Sequence, residues 1–175
     1  RMTTEMAVPV PKELVTLSNG LLVDSREDGE WRTDLWKQKI PHAVYLVSLA
    51  AGRFGIVRDA WRGIPVEYYV EAGKEADARP SLGKTPAMIE FFSNYLDYPY
   101  PYEKYAQVAV RYFNAGGMEH TTATTLFEGA VIDEEGRIDN DVDGLVAHEL
   151  FHQWYGDLVT CQSWNELWLN ESFAT

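Results

Sequence analysis

The chain has 175 residues, 46% hydrophobic and 24% charged, a globular balance that excludes a disordered, collagen-like or coiled-coil protein. Its net charge is −12 with no local Lys/Arg cluster, which excludes a phosphate-backbone binder, so no nucleic-acid partner is expected. The single cysteine, Cys161, excludes an internal disulfide, and no run approaches about 18 apolar residues, so no membrane-spanning segment is read here.

Residues 1–60 read as short strands and turns. Leu14–Leu17 is a strand ended by the turn residues Ser18-Asn19-Gly20, and Leu21–Val23 is a second before a polar turn, Asp24–Glu30. Ala43–Ala50 is a nearly continuous apolar run, the pattern of a buried strand, and Ile64–Val70 is another strand with Pro65 at its start. Beyond Gly73 the pattern changes. Met88, Ile89, Phe91, Phe92, Tyr95 and Leu96 recur at helical spacing, Asp97–Tyr102 breaks the helix, and Tyr105–Phe113, Thr121–Phe127 and Ala130–Ile132 read as strands. An acidic loop, Asp133–Asp143, leads into a buried helix over 142–155 that Gly156 stops. A last helix starts near Ser163, with Ser163 and Glu166 as a capping box, and is still running at Thr175. The 175 residues are therefore expected to be a piece of a longer protein, inactive by itself.

Two motifs lack their context. Ala78–Thr85 fits a loose phosphate-binding loop, but the preceding Glu75-Ala76-Asp77 is no hydrophobic strand; it is read as a helix start, with Thr85-Pro86 or the residues before it forming the first turn. Asp139–Gly144 imitates a calcium loop, but its twelfth position is Leu150 where a bidentate Glu is needed. These acidic residues instead suit the positive end of the following helix.

His148-Glu149-Leu150-Phe151-His152 carries the chemistry. On a helix, His148 and His152 share one face about 40° and 6 Å apart, close enough to bind one metal, while Glu149 reaches a water at an open coordination position. With four His in the chain, a random H-E-x-x-H is expected about 0.008 times. Eighteen residues separate His152 from Glu171, which offers a carboxylate from the next helix. Two His, one Glu and water form a catalytic zinc set. The apolar neighbours Trp164, Leu167, Trp168, Leu169 and Phe173 imply that this helix is mostly buried, where an unpaired carboxylate would be costly and a metal would resolve the cost.

These motifs, with Trp168-Leu169-Asn170-Glu171 around the third ligand and Gly116-Gly117-Met118-Glu119-His120 upstream, resemble the M1 aminopeptidase family, whose exopeptidase signature is written G-[AG]-M-E-N. The resemblance implies that His148, His152 and Glu171 hold one Zn2+ and that Glu149 is the general base. It implies that Glu119 binds the free α-amine of a peptide substrate, whose backbone runs along Gly116, Gly117 and Met118. The implied fold is α+β: the end of an all-β N-terminal domain over 1–54, then the first part of a thermolysin-like zinc peptidase catalytic domain over 55–175. His120 replaces the family's Asn and is a candidate fourth imidazole near the metal. The implied activity is that of a hydrolase, a zinc metalloprotease removing N-terminal residues from peptides with a free amine. The alternatives are an epoxide hydrolase-aminopeptidase of the same family, which the same metal set would serve, and a non-catalytic remnant or peptide-binding module. An endopeptidase is disfavoured by Glu119.

Overall fold

A computed structural model describes residues 1–175. In chain order it contains β1 (Met2–Pro11), β2 (Val15–Ser18), β3 (Leu21–Asp28), β4 (Trp31–His42), β5 (Leu49–Gly52), β6 (Phe54–Trp61) and β7 (Ile64–Glu71). Then come α1 (Glu75–Leu82), α2 (Thr85–Tyr95), β8 (Tyr105–Val110), β9 (Gly117–Met118), β10 (Ala123–Phe127), α3 (Asp143–Phe151) and α4 (Trp168–Ala174). The architecture is α+β and rich in strands. No helix is long and apolar enough to cross a membrane.

Three sheets form. The order β1-β4-β3 is antiparallel throughout, β2 pairs with β5, and the five-stranded sheet runs β6-β7-β8-β10-β9. In this last sheet β7, β8 and β10 are parallel neighbours, and β6 and β9 are antiparallel edges. The parallel step from β7 to β8 needs a crossover, which α1 and α2 supply. Thr85-Pro86 opens α2 with proline in its first turn, as the sequence implies.

Strand periodicity sends alternate side chains of the five-stranded sheet into two cores. Tyr105 and Ala109 of β8, with Val66, Tyr68 and Val70 of β7, pack towards the helices against Leu82, Ile89, Val146 and Leu150. Ala106 and Val108 of β8, with Tyr69, pack the other way against Val8, Val10, Leu17 and Trp36. The sheet is thus covered on both faces, and its β9 edge comes to lie beside α3.

Several elements differ from the sequence reading. Asp24–Asp28 is not a turn but the end of β3, whose charged residues face outwards, and the reversal comes at Gly29 with φ +59°. Ala43–Ala50 is not a buried strand: a 3₁₀ turn occupies Val44–Leu46, and both Val44 and Leu49 are exposed. The buried Asn19 side chain takes the hydrogen bonds a strand would have made, donating to the carbonyl of Leu46 (2.9 Å) and accepting from the amide of Ser48 (2.8 Å). Ala130–Ile132 is no strand either, because Glu128–Ala130 forms a 3₁₀ turn.

Candidate metal centre

α3 is set by its apolar face. Val146 and Leu150, both buried in the helix-side core, contribute about 1.5–3 kcal/mol each by leaving water. His148 then faces the open side. The regular helix ends at Phe151, shorter than the expected 142–155, with His152 as its C-cap in helical conformation. Gly156 then turns the chain at φ +137°, where a β-carbon would also press on His152 Nδ1 at 3.1 Å. The backbone folds back through Asp157 N–H to His152 C=O (3.0 Å) and Val159 N–H to Trp154 C=O (2.9 Å).

α4 comes back across this turn, held by two side chains. Asn170 is buried; its Nδ2 donates to Tyr45 Oη (3.3 Å) and its Oδ1 accepts from Cys161 N–H (3.3 Å). Phe173 stacks on Tyr155 with ring centroids 4.7 Å apart. The expected Ser163–Glu166 capping box is absent: Ser163 makes no side-chain cap, and only its carbonyl accepts from Glu166 N–H (2.9 Å). Nor is α4 mostly buried. Trp164, Leu167, Trp168 and Phe173 are exposed, and the Glu171 side chain is 46% exposed. No element of residues 1–175 lies over that face, so Glu171 is not the buried, unpaired carboxylate that the apolar sequence around it implies.

The donor geometry carries the site instead. His148 Nε2 and His152 Nε2 are 3.1 Å apart, and each lies 3.5 Å from Glu171 Oε2. A tetrahedral ion with ligand bonds of about 2.0–2.1 Å holds its ligands about 3.3 Å apart. The three atoms therefore form a face of the right size for one ion, leaving the fourth corner open. His152 Nδ1 lies 2.9 Å from the carbonyl of Tyr155. Because only a protonated Nδ1 satisfies that carbonyl, the lone pair of Nε2 is directed at the common point. His148 is lowered below the usual histidine range by burial and by the neighbouring His152, against the pull of Glu171 and a backbone hydrogen bond with Ala174. A neutral imidazole is the form that ligates.

Glu149 is buried one position along α3. Burial, then the charges of Glu119 and Glu171, push its carboxyl up to about 8. Gly117 on β9 lies directly against it: a β-carbon at Gly117 would collide with the Glu149 carboxylate. Gly117 and Met118 pair with Leu126 and Thr125 of β10, Gly116 accepts from Phe127 N–H (3.1 Å), and a β-carbon at Gly116 would touch only Leu145. Glu119 follows, buried, outside the ligand triangle but close enough for its charge to act on Glu149 and His148. The site thus collects three carboxylates, Glu119, Glu149 and Glu171, around two imidazoles.

His120 is not a fourth imidazole at this point. Its Nδ1 lies 3.0 Å from Thr125 Oγ1, and it lines a separate cleft with Val47, Ala51, Phe54 and Val110. Burial lowers it to about 4. The chain turns here, with Ala123 N–H donating to the His120 carbonyl (2.9 Å), and the imidazole is held by Thr125 of β10. Sequence reasoning missed Gln153, which is fully buried between α3 and the Glu119 segment. The one local signal is a polar residue immediately after the second His on an otherwise apolar helix end.

Residues 81–175 match the family model described as the Peptidase family M1 domain. Over its full length the chain is 34% identical to Aminopeptidase M1 of Arabidopsis thaliana, covering 20% of that protein. It is 33% identical over 98% of its length to Probable aminopeptidase 2 of Sulfurisphaera tokodaii, covering 22%, and 32% identical over its full length to Glutamyl aminopeptidase of Rattus norvegicus, covering 19%. The chain spans about a fifth of the length of the curated relatives it matches.

Proposed function

Because the chain belongs to peptidase family M1, we propose that it carries the metal centre of a zinc aminopeptidase that removes N-terminal residues from peptides with a free amine. The observation that carries this reading is the 3.1–3.5 Å triangle of His148, His152 and Glu171 donors with Glu149 beside it. In this reading residues 1–54 end an all-β N-terminal domain and residues 55–175 begin a thermolysin-like catalytic domain. The sheets divide compatibly, since the strands of the two smaller ones all precede Arg53 and those of the five-stranded sheet all follow it.

Two imidazoles and one carboxylate suit zinc. When bound there, zinc supplies a Lewis acid and lowers the pKa of its water to about 7. Glu149 takes the proton of the attacking water on a carboxylate oxygen and delivers it to the leaving nitrogen. Burial pushes its carboxyl up to about 8; the positive charge of a bound zinc would draw it back down, so that near neutral pH it can both accept the proton and give it back. Gly117 lets the extended backbone of β9 come up to this carboxylate. Glu119 holds the substrate ammonium by a charge-assisted pair in a buried place, so an acylated or internal residue lacks the partner that offsets desolvation. Gly116, Gly117 and Met118 line the substrate backbone.

The test is hydrolysis of a panel of aminoacyl p-nitroanilides by the zinc-loaded full-length protein, beside their N-acetyl counterparts. Turnover of the free-amine series alone is the expected result. Turnover of neither, or of both alike, contradicts the reading.

A further inference from the structure

The segment between β9 and β10 is held by two buried amide side chains, one from each side. Asn19, in the turn after β2, donates through Nδ2 to the carbonyl of Thr121 (2.6 Å), and the neighbouring Gly20 N–H donates to Thr122 Oγ1 (2.7 Å). From the other side, Gln153 donates through Nε2 to the carbonyl of Glu119 (3.1 Å), and its Oε1 accepts from Thr122 N–H (2.9 Å). The Tyr100 hydroxyl, which lies 2.9 Å from the carbonyl of Lys104, is 3.3 Å from the same Oε1. The amide has only one sensible orientation, because rotating it by 180° would set acceptor against acceptor and donor against donor. Thr122 is a β-branched residue at φ +63°, a conformation such residues rarely adopt and one that surrounding bonds must impose.

Gln153 is also the residue that follows His152 in the chain. One side chain therefore ties the backbone of Glu119 to the backbone next to a donor of the His148–His152–Glu171 triangle. Gln153 itself is no member of that triangle. We infer that Gln153 is a positioning residue for amine recognition, fixing the distance between the Glu119 carboxylate and the metal centre. The inference rests on the proposed aminopeptidase reading. An α-amino acid derivative has one fixed span between its ammonium and its carbonyl oxygen, so two anchoring points that drift relative to each other cannot both be used. Loosening the Gln153 tie weakens binding that needs the ammonium and spares binding through the metal alone.

Two probes separate these. Leucine hydroxamate carries the α-amine, and 4-methylpentanohydroxamic acid is the same molecule without it; both chelate zinc. Their binding is measured by calorimetry on the zinc-loaded full-length protein and on Gln153→Met, which keeps the side-chain length and removes the amide's hydrogen bonds. Leucine hydroxamate is expected to weaken about tenfold and the amine-free probe less than about twofold, as misplacement of one charge-assisted contact implies. Where Gln153→Met gives no folded protein, Gln153→Asn is used, whose amide stops one methylene short of both partners, with the same expectation. Equal weakening of both probes, or of neither, overturns the role of Gln153. A parent protein that binds the two probes equally overturns instead the amine-binding role of Glu119, and the inference falls with it.

Discussion

Gly117 lies so close to Glu149 that any side chain at position 117 would occupy the space of the Glu149 carboxylate. The contact joins the two motifs that are more than 25 residues apart in sequence, and it explains why glycine stands on an edge strand where it has no turn to make. Gly117→Ala is expected to push the carboxylate aside while leaving the three ligands in place. The full-length protein should keep its zinc and lose about 10²-fold in kcat, the scale of a misplacement near 1 Å. Wild-type kcat in this variant would show that Glu149 need not stand where it does.

Glu149→Gln preserves shape and removes the proton acceptor. Metal analysis is expected to find zinc as in the parent, with kcat lower by about 10²–10⁴-fold, the usual contribution of a general base. A near-normal rate with normal zinc removes Glu149 from the mechanism.

Much of this site is legible in the sequence because its information is local. Four-residue spacing on one helix puts two imidazoles together, and a short return brings Glu171 to them. The strands are less legible. β4 hides because its inward positions include Asp34, Gln38 and His42, so apolar alternation is broken. Asp34 is tolerated there because Arg32 pairs with both its oxygens at 2.8 Å and Thr16 and Ser25 each donate at 2.6 Å. The apolar run Ala43–Ala50 misleads in the opposite sense, since Asn19, far away in sequence, takes its backbone hydrogen bonds. The exposure of α4 is illegible for a similar reason: apolar composition implies burial only where a partner surface exists.

Glu119→Gln keeps the shape of the side chain and removes its charge. For unblocked aminoacyl p-nitroanilides, kcat/KM is expected to fall by about 10–10²-fold, as loss of a buried charge-assisted pair implies. N-acetylated substrates, poor for the parent, should be unchanged. Undiminished kcat/KM on free-amine substrates would make Glu119 a buried acid without a role in recognition.

Lys104 links pH to stability. Its ammonium is buried, donates to the carbonyl of Ser18 (2.8 Å) and lies 4.7 Å from the centre of the Trp36 ring. Burial lowers it to about 7, against a smaller opposing pull from Glu67. Between that value and the ordinary lysine range, the unfolded chain holds a proton that the folded chain has shed. Stability from this group therefore rises as pH increases from about 7 to about 10. Urea unfolding at pH 7 and pH 9.5 is expected to show that Lys104→Met removes a pH-dependent gain on the order of a few kcal/mol. Identical pH slopes in parent and variant would mean that Lys104 stays charged when folded.

Every role proposed for this site depends on His148, His152 and Glu171 together holding one zinc ion. The most direct measurement is the zinc K-edge absorption spectrum of the full-length protein loaded with one equivalent of zinc. Two imidazole nitrogens at about 2.0–2.1 Å and carboxylate or water oxygen at about 2.0–2.2 Å are expected, with the imidazole signal halved in His152→Ala. An all-oxygen shell, or a spectrum that His152→Ala leaves unchanged, would contradict this ligand set.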